Sequence, residues 1–550
     1  MSILEYNNDT LYEKVKRISK EFPKNIAYEF MGKNSTYENF IKDVNIVAKA
    51  LVKLGIKEKD IVCVAMPNVP QAITFIYALN RIGAIANMIH PLSSEGEMEG
   101  FLNKVEAKVL LMMDQFYPVV RNIRNNTKLE TVIIARIKDA LPPIKKLPYS
   151  LFIGSKLPKI DKKENVLFWN DFIKLGKDCV LSELKKDTNR TALILHSGGT
   201  TGKIKGVMLS NKAVNASAMQ MKKAHPTIDS SDRMLTVMPI FHGNGLVIGV
   251  HAMLITGARC ILIPRFTPES YAKDLLKYKC NYMSGVPALF ERLMNQECMK
   301  KADLFFLKGV FSGADSLSVE LEKKINEFLK AHNASVVVRQ GYGMTEGVVA
   351  SSLTPIEGGK LGSIGIALPD VDMKIVEPGT TKEVKVGETG EIVFSSVTNM
   401  EGYYNDKEET DNTLKLHEDG KYYVHSGDLG MVDQDGFFFF KGRIKRMIIT
   451  NGYNVFPMEL ENALEGNELI DRACVLGIPD EVRGERVKAY LVLKDKLMDK
   501  NIVIPTIKDY MKTKVARYAL PKEYEIIEEL PKTKIGKVDY RVLLNKELQK

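Results

Sequence analysis

Cysteine is scarce in this chain, six in 550 residues, so a disulfide framework is not what holds it together. Cys63, Cys179, Cys260, Cys280, Cys298 and Cys474 form no C-x-x-C pair and no Cys/His group at metal-ligand spacing, which argues against a zinc site. They read as reduced residues of a cytosolic protein. Met1–Asp9 is polar and acidic, with neither an apolar secretory core nor an Arg-rich transit pattern. The longest apolar stretch, Gly245–Pro264, is broken by His251 and Arg259 and does not read as a membrane span. No internal repeat stands out.

The length predicts two to four structural units with a sizeable core. Hydrophobic residues make up 45% and charged residues 27%, the balance of a globular protein. The formal charge of +10 suits an anionic nucleotide, an anionic membrane or nucleic acid, or is simply a solvated lysine-rich surface. The basic residues are dispersed and no RNA or DNA module is present, so no nucleic-acid partner is expected.

Apolar residues at Tyr37, Phe40, Ile41, Val44, Val47, Ala48, Leu51 and Leu54 follow helical spacing. Ser35 and Glu38 fit a capping box, and Gly55 fits a C-terminal stop. Strand-like runs at 60–66, 191–196, 234–238, 259–263, 281–284, 309–311 and 335–339 alternate with helical ones. That rhythm predicts an α/β fold with βαβ layers and a largely parallel sheet, whose ligands sit beyond the carboxyl ends of the strands. After Ile364 turns become dense and strands short, which predicts a small β-rich subdomain at about 365–441. A further α+β pattern, with helices at 457–464 and 506–515 and strands at 473–477 and 487–493, begins beyond a boundary near Gly442–Lys445. The expected division is 1–441, a connection at 442–446, and a small C-terminal domain at 447–550.

One segment departs from this texture. Leu141–Lys163 mixes Lys145, Lys146, Lys156, Lys159, Lys162 and Lys163 with Tyr149, Leu151, Phe152 and Ile153, broken by prolines. Such a mixture can rest on lipid headgroups, or be a plain surface excursion.

The strongest local signal is Ser197-Gly198-Gly199-Thr200-Thr201-Gly202-Lys203-Ile204-Lys205-Gly206, placed after a strand and before a helical run. Its glycines let backbone N–H groups turn inward on an anion, the threonines add hydroxyl donors, and Lys203 and Lys205 add charge. It is not a Walker A loop, which needs glycine where Ser197 stands.

This loop resembles the phosphate-binding signature of the adenylate-forming superfamily, which includes acyl-CoA synthetases, luciferases and peptide-synthetase adenylation domains. Further motifs stand in that family's order between about Thr36 and Arg541. Pro239-Ile240-Phe241-His242-Gly243 resembles the gate beside the acyl pocket, which gives His242 its implied role. Gly341-Tyr342-Gly343-Met344-Thr345-Glu346 resembles the adenine and metal motif. It implies Tyr342 and Gly343 against adenine, Thr345 on the α-phosphate and Glu346 on Mg²⁺, with Thr200 as a second metal contact. Ser312-Gly313-Ala314-Asp315 resembles the segment flanking adenine, although Asp315 stands where the family often has a small residue. Tyr423-Val424-His425-Ser426-Gly427-Asp428-Leu429 resembles the ribose motif, with Asp428 reading the vicinal hydroxyls. Gly442-Arg443-Ile444-Lys445-Arg446 resembles the interdomain hinge, with Arg443 on ribose or phosphate and Lys445 as pivot. The loop at Gly452 resembles the one that serves thioester formation. Pro531-Lys532-Thr533-Lys534-Ile535-Gly536-Lys537 resembles the catalytic lysine motif and assigns Lys537, with Ile535 where the family usually has Ser or Thr and Ile204 where Pro is common.

The resemblance implies an enzyme that uses ATP, Mg²⁺ and coenzyme A to convert a carboxylic acid first to acyl-AMP and then to a thioester, with a mobile C-terminal domain. A medium- or long-chain fatty acid is the expected substrate, because 141–163 looks like a segment of long-chain ligases. Adenylation with transfer to a carrier protein, and a catalytically inactive lipid-binding scaffold, are the competing readings. The expected location is cytoplasmic or peripheral at the inner face of a membrane through 141–163, and the oligomeric state is open.

Overall fold

The computed structural model describes residues 4–161, 164–198, 204–532 and 538–549. Two large mixed sheets form the N-terminal part. The nine-stranded sheet runs Ile366–Ala367, Ser352–Leu353, Val338–Tyr342, Gly309–Ser312, Tyr282–Gly285, Arg233–Thr236, Arg259–Leu262, Ile26–Phe30, Lys33–Thr36. Its pairs from Val338–Tyr342 to Ile26–Phe30 are parallel, and its outer pairs antiparallel. The eight-stranded sheet runs Gly402–Tyr403, Ile204–Ser210, Thr191–Gly198, Ile85–Met88, Ile61–Ala65, Val109–Met113, Thr131–Ala135, Val166–Phe168. It is parallel from Thr191–Gly198 onward. Parallel strands covered on both faces read as unbroken apolar runs, and Val109–Met113 is buried at every position.

One apolar cluster joins the two sheets. Phe40, Val64, Tyr77, Leu193, Ile240 and Phe394 all belong to it and are essentially inaccessible. Helix Tyr37–Lys53 contributes Tyr37, Phe40, Val44, Val47, Ala48 and Leu51 to the interior, each large apolar side chain adding about 1.5–3 kcal/mol. Its cap is Thr36, whose hydroxyl accepts from the Asn39 amide at 3.3 Å. The predicted Ser35 is instead part of a strand, paired with Tyr28. Gly55 follows the helix at φ 95°, the left-handed stop its position predicts.

A third, antiparallel sheet runs Val371–Val376, Gly390–Ser396, Tyr422–Val432, Leu414–Leu416, with Phe438–Arg443 beside Tyr422–Val432. The last sheet runs Tyr453–Val455, Ile448–Thr450, Gly484–Leu493, Ile470–Asp480, with Glu523–Ile526 parallel to Gly484–Leu493. Helices Pro457–Glu465 and Lys500–Lys512 pack on it. The second of these starts earlier than the predicted 506, because Asp499 accepts from the Asn501 amide at 2.9 Å and caps it. Pro505 inside it removes only one N–H donor. Among the described residues no helix is long and apolar enough to cross a membrane.

Candidate active site

The glycine-rich signature sits in a hairpin. Thr191–Gly198 pairs antiparallel with Ile204–Ser210, Ser197 opposite Lys205 and Gly198 opposite Ile204. The expected direct passage from loop to helix is therefore interrupted by a strand, and the helix begins only at Asn211. Burial in Ile204–Ser210 does not alternate, with Ile204, Lys205 and Met208 half-buried and the rest buried, so the strand carries no period-two pattern. Gly199, Thr200, Thr201, Gly202 and Lys203 lie outside the described residues, as does Lys537. Lys205 is half-buried, with its ammonium paired to Glu409 and 5.1 Å from the Tyr403 ring centroid.

Glu346 is the centre of the arrangement. It stands in a short turn, Thr345–Gly347, just beyond the strand Val338–Tyr342, and is 3% exposed. Its Oε1 accepts from Ser197 Oγ at 2.9 Å and from the Tyr403 hydroxyl at 2.8 Å. Its Oε2 is buried and has no hydrogen bond among the described residues. A buried carboxylate oxygen without a donor is costly unless a cation or donor reaches it. It is a hard-oxygen ligand suited to Mg²⁺, which takes one or two carboxylates and completes its shell with phosphate and water. Among the described residues no cluster of three or more His, Cys, Asp or Glu side chains could hold a metal by itself. Burial and the Glu346 charge push the Tyr403 phenol pKa up, so it stays a donor.

The gate motif packs on the same turn. A β-carbon on Gly243 would meet the Val348 carbonyl oxygen at 2.2 Å, and one on Gly245 the Pro239 carbonyl oxygen at 2.2 Å, so only glycine fits at either place. Asn68 pins the loop, donating to the Thr236 and Met238 carbonyls at 3.0 Å each and accepting from the Ile240 amide at 3.0 Å. His242 is exposed against Phe241, ring centroids 4.7 Å apart. The chain then enters a π-helix, Asn244–His251, a form that recurs at functional sites.

Gly313 and Ala314 follow the strand Gly309–Ser312, and Tyr342 and Gly343 end the neighbouring strand, so the two motifs meet at adjacent carboxyl ends. Ala314 is held at φ 64°, the left-handed region that side chains enter at a cost. A β-carbon on Gly343 would meet the Val349 carbonyl oxygen at 2.1 Å.

The Tyr342 hydroxyl donates to Asp428 Oδ2 at 3.0 Å. Asp428 lies in the third sheet opposite Arg443, whose Nε is 3.3 Å from Oδ1. It is 5% exposed. Burial raises its pKa, Arg443 works against that, and the nearby charge of Glu346 adds to it. Oδ1 is ion-paired with Arg443 but makes no well-aligned hydrogen bond among the described residues.

Behind Asp428 lies a chain the sequence reading missed. Glu391 Oε1 accepts from the Gly427 amide at 2.9 Å, and Oε2 faces His425 Nδ1 at 3.0 Å. His425 Nε2 faces His417 Nε2 at 3.0 Å. Neither this set nor Tyr403 carries a sequence signal, since its members come together only across strands.

Lys445 lies exposed in the turn Ile444–Arg446 that joins the third sheet to the last. Arg446 reaches into the last sheet, donating to Glu461 Oε1 at 2.6 Å. Asn451 and Gly452, at φ 51° and 79°, form a hairpin tip between Ile448–Thr450 and Tyr453–Val455, the turn that Asn-Gly favours. Lys441–Glu459 at 2.8 Å and Arg472–Glu291 at 2.6 Å tie the last sheet to the rest.

The site thus sets two buried carboxylates beside the strands that flank the glycine-rich signature, on an α/β body. The family model described as AMP-binding enzyme matches residues 15–404, and that of the AMP-binding enzyme C-terminal domain matches 459–537. The long-chain-fatty-acid–CoA ligase of Bacillus subtilis strain 168 is 32% identical over 546 residues, covering 98% of this chain and 95% of that protein. A probable 4-coumarate–CoA ligase 1 of Dictyostelium discoideum is 31% identical, covering 91% of this chain and 88% of that protein. ATP-bound MatB from Rhodopseudomonas palustris superposes with a TM-score of 0.82 at 23% identity, covering 97% of this chain and 98% of that one. The chain belongs to the AMP-binding enzyme family. Within it, the protein is an acid–thiol ligase of the acyl-CoA synthetase branch, with ATP and coenzyme A as its co-substrates.

Proposed function

We propose that this ligase activates a medium- or long-chain fatty acid as acyl-AMP and passes the acyl group to the thiol of coenzyme A. The observation that carries the adenylation half is the pair of neighbouring buried carboxylates, Glu346 and Asp428, each with one oxygen that makes no hydrogen bond among the described residues. The fatty-acid part is supported by the Bacillus subtilis relative. An apolar cavity of about 20 Å³, about the space of one water, lies between the π-helix and the strand that ends at Ser312. Met221, Met234, Ile248, Met253 and Phe311 line it. It is far too small for an acyl chain as it stands, but methionines are flexible and yield to a ligand. The Dictyostelium relative favours an aromatic acid as the second reading.

In the proposed reaction the substrate carboxylate attacks the α-phosphorus of ATP in line. The bond to pyrophosphate breaks, and pyrophosphate leaves with its electron pair. The thiol sulfur then displaces AMP from the acyl carbon and loses its proton. No side chain is consumed, so the protein's work is alignment and charge stabilisation. Asp428 and Arg443 would hold the ribose, with Tyr342 fixing the carboxylate. Thr345, Lys203, Lys205 and the glycine-rich backbone would hold phosphates. Glu346, with Thr200, would hold Mg²⁺, which when bound supplies charge neutralisation on the phosphates. Ser197 and Tyr403 keep the Glu346 carboxylate oriented for it. Lys537 would stabilise the first transition state, and rotation of 447–550 about Lys445 would then bring the Gly452 loop to serve the second.

The test is pyrophosphate release with Mg-ATP across aliphatic and aromatic acids, with and without coenzyme A. Release that requires a medium or long aliphatic acid and accelerates with coenzyme A is expected. Release with aromatic acids alone would replace the substrate assignment. Acceleration by a carrier protein but not by coenzyme A would replace the acceptor.

A further inference from the structure

We propose that helix Pro143–Phe152 and the turn after it form a docking surface for an anionic lipid bilayer. No residue of this helix is buried. Ile144 is 83% exposed, Leu147 69%, Leu151 62%, Phe152 74% and Ile153 49%. At 3.6 residues per turn, Ile144, Leu147, Pro148, Leu151 and Phe152 fall within one arc of about 140°. A contiguous apolar patch of this kind is rare on a surface that meets only water.

The opposite side of the helix is attached to the protein. Tyr149 packs half-buried against the main core, and Leu141 is buried just before the helix begins. The Lys145 ammonium donates to the Met31 carbonyl at 2.7 Å. The apolar arc is therefore presented outward by a fixed element.

Charge selects the occupant. Lys156 and Lys159, exposed just after the helix, and Lys146, exposed on the helix side away from the arc, form no ion pair among the described residues. The nearby acids are engaged, Glu164 with Arg121 at 2.7 Å and Asp139 with Arg136 at 3.2 Å. Anionic headgroups complement these lysines, whereas a second copy would bring lysine against lysine. Depth follows from length and from Pro148. Ten residues make a helix about 15 Å long, half of the hydrocarbon thickness of about 30 Å. Pro148 lies inside the helix and cannot donate to the carbonyl one turn earlier. That carbonyl needs water or a headgroup, so the helix lies in the interfacial plane. The surface does not depend on which acid the active site takes.

The experiment is co-sedimentation of the full chain with vesicles of phosphatidylcholine alone and of phosphatidylcholine mixed with phosphatidylglycerol. Binding to the mixed vesicles at least about tenfold tighter than to neutral ones is expected, since each lysine near an anionic surface contributes roughly fivefold. The combined Leu147→Ser, Leu151→Ser and Phe152→Ser variant should lose about tenfold or more, because each exposed side chain gives up its apolar insertion. Lys146→Glu with Lys156→Glu and Lys159→Glu should abolish the preference for phosphatidylglycerol. All six positions are exposed, so the melting temperature should not move. Equal binding of both variants and the native chain, or no binding by any, overturns the proposal. So does a concentration-dependent dimer that the serine variant dissolves.

Discussion

Replacing Glu391 with glutamine removes one negative charge from a buried site and turns one acceptor oxygen into a donor. Glu391 is 4% exposed. As a carboxylate it accepts from the Gly427 amide and from His425 Nδ1–H. His425 Nε2 is then a bare acceptor, and His417 must present its Nε2–H. In Glu391→Gln the amide oxygen can keep Gly427, but the amide nitrogen faces Nδ1. His425 must move its proton to Nε2, and His417 must give up the one it presents there. Hydrogen bonds to a charged partner contribute about 1.5–3 kcal/mol and neutral ones about 0.5–1.5 kcal/mol, so weakening two contacts costs roughly 2–3 kcal/mol. Gly427, at φ 69°, adjoins Asp428, so the strain falls on the ribose carboxylate. If about 2 kcal/mol is felt there, ATP affinity falls roughly thirtyfold. Calorimetric titration with ATP should show this for Glu391→Gln and a larger loss for Glu391→Ala, which leaves both donors unpaired. An ATP affinity within about twofold of native in Glu391→Ala refutes the reasoning. The pH dependence has a definite sign. Burial raises the Glu391 pKa, but the His425 and Gly427 hydrogen bonds outweigh it and the net shift is downward. The carboxylate therefore contributes stability above its ordinary value of 4.5, lost as pH falls through the lower folded value. His425, His417 and Asp428 face the same site. Acid unfolding of the third sheet should lose this component in Glu391→Gln.

Glu346→Gln should slow acid-dependent pyrophosphate release by about 10²–10³ while Ser197 and Tyr403 keep the side chain in place, because a neutral amide is a poor cation ligand. A rate within tenfold of native at saturating Mg²⁺ would remove Glu346 from the proposed role. Lys537→Ala should cripple acyl-AMP formation yet spare thioester formation from supplied acyl-AMP, and equal losses in both steps would contradict it. Lys445→Pro should do the reverse, since it fixes φ in the Ile444–Arg446 turn; an unchanged overall rate would take Lys445 out of the mechanism.

The elements legible in the sequence are those written in local pattern. The apolar face of Tyr37–Lys53 and the left-handed stop at Gly55 are examples. The strand that leads to Gly313 is legible as the apolar run 309–311, but the run at 335–339 stops short of the observed Val338–Tyr342, whose polar end Gln340-Gly341-Tyr342 lacks an apolar pattern. The cap is misplaced by one residue because Ser35 and Thr36 are chemically alike, and both lie in the strand Lys33–Thr36, so only the backbone position at which the helix starts selects Thr36. The strand after the glycine-rich loop was missed because its burial depends on lying between Thr191–Gly198 and Gly402–Tyr403. Tyr403 and Glu346 are 57 residues apart and Glu391 and His425 are 34 apart. Nothing local in a tyrosine or a glutamate says which distant partner a sheet will hand it.

The turn Ile444–Arg446 is bounded by two ion pairs of opposite allegiance, Arg443 on Asp428 and Arg446 on Glu461. A ribose that donated its hydroxyl hydrogen bonds to Asp428, as proposed above, would compete directly with Arg443 and so loosen one side of that turn. If the last sheet changes its setting about Lys445, nucleotide and setting are thermodynamically linked. The factor by which a new setting weakens nucleotide binding equals the factor by which bound nucleotide disfavours that setting. Product AMP would then report on the position of the last sheet through its own affinity, and a substitution at Arg443 would change both readings together.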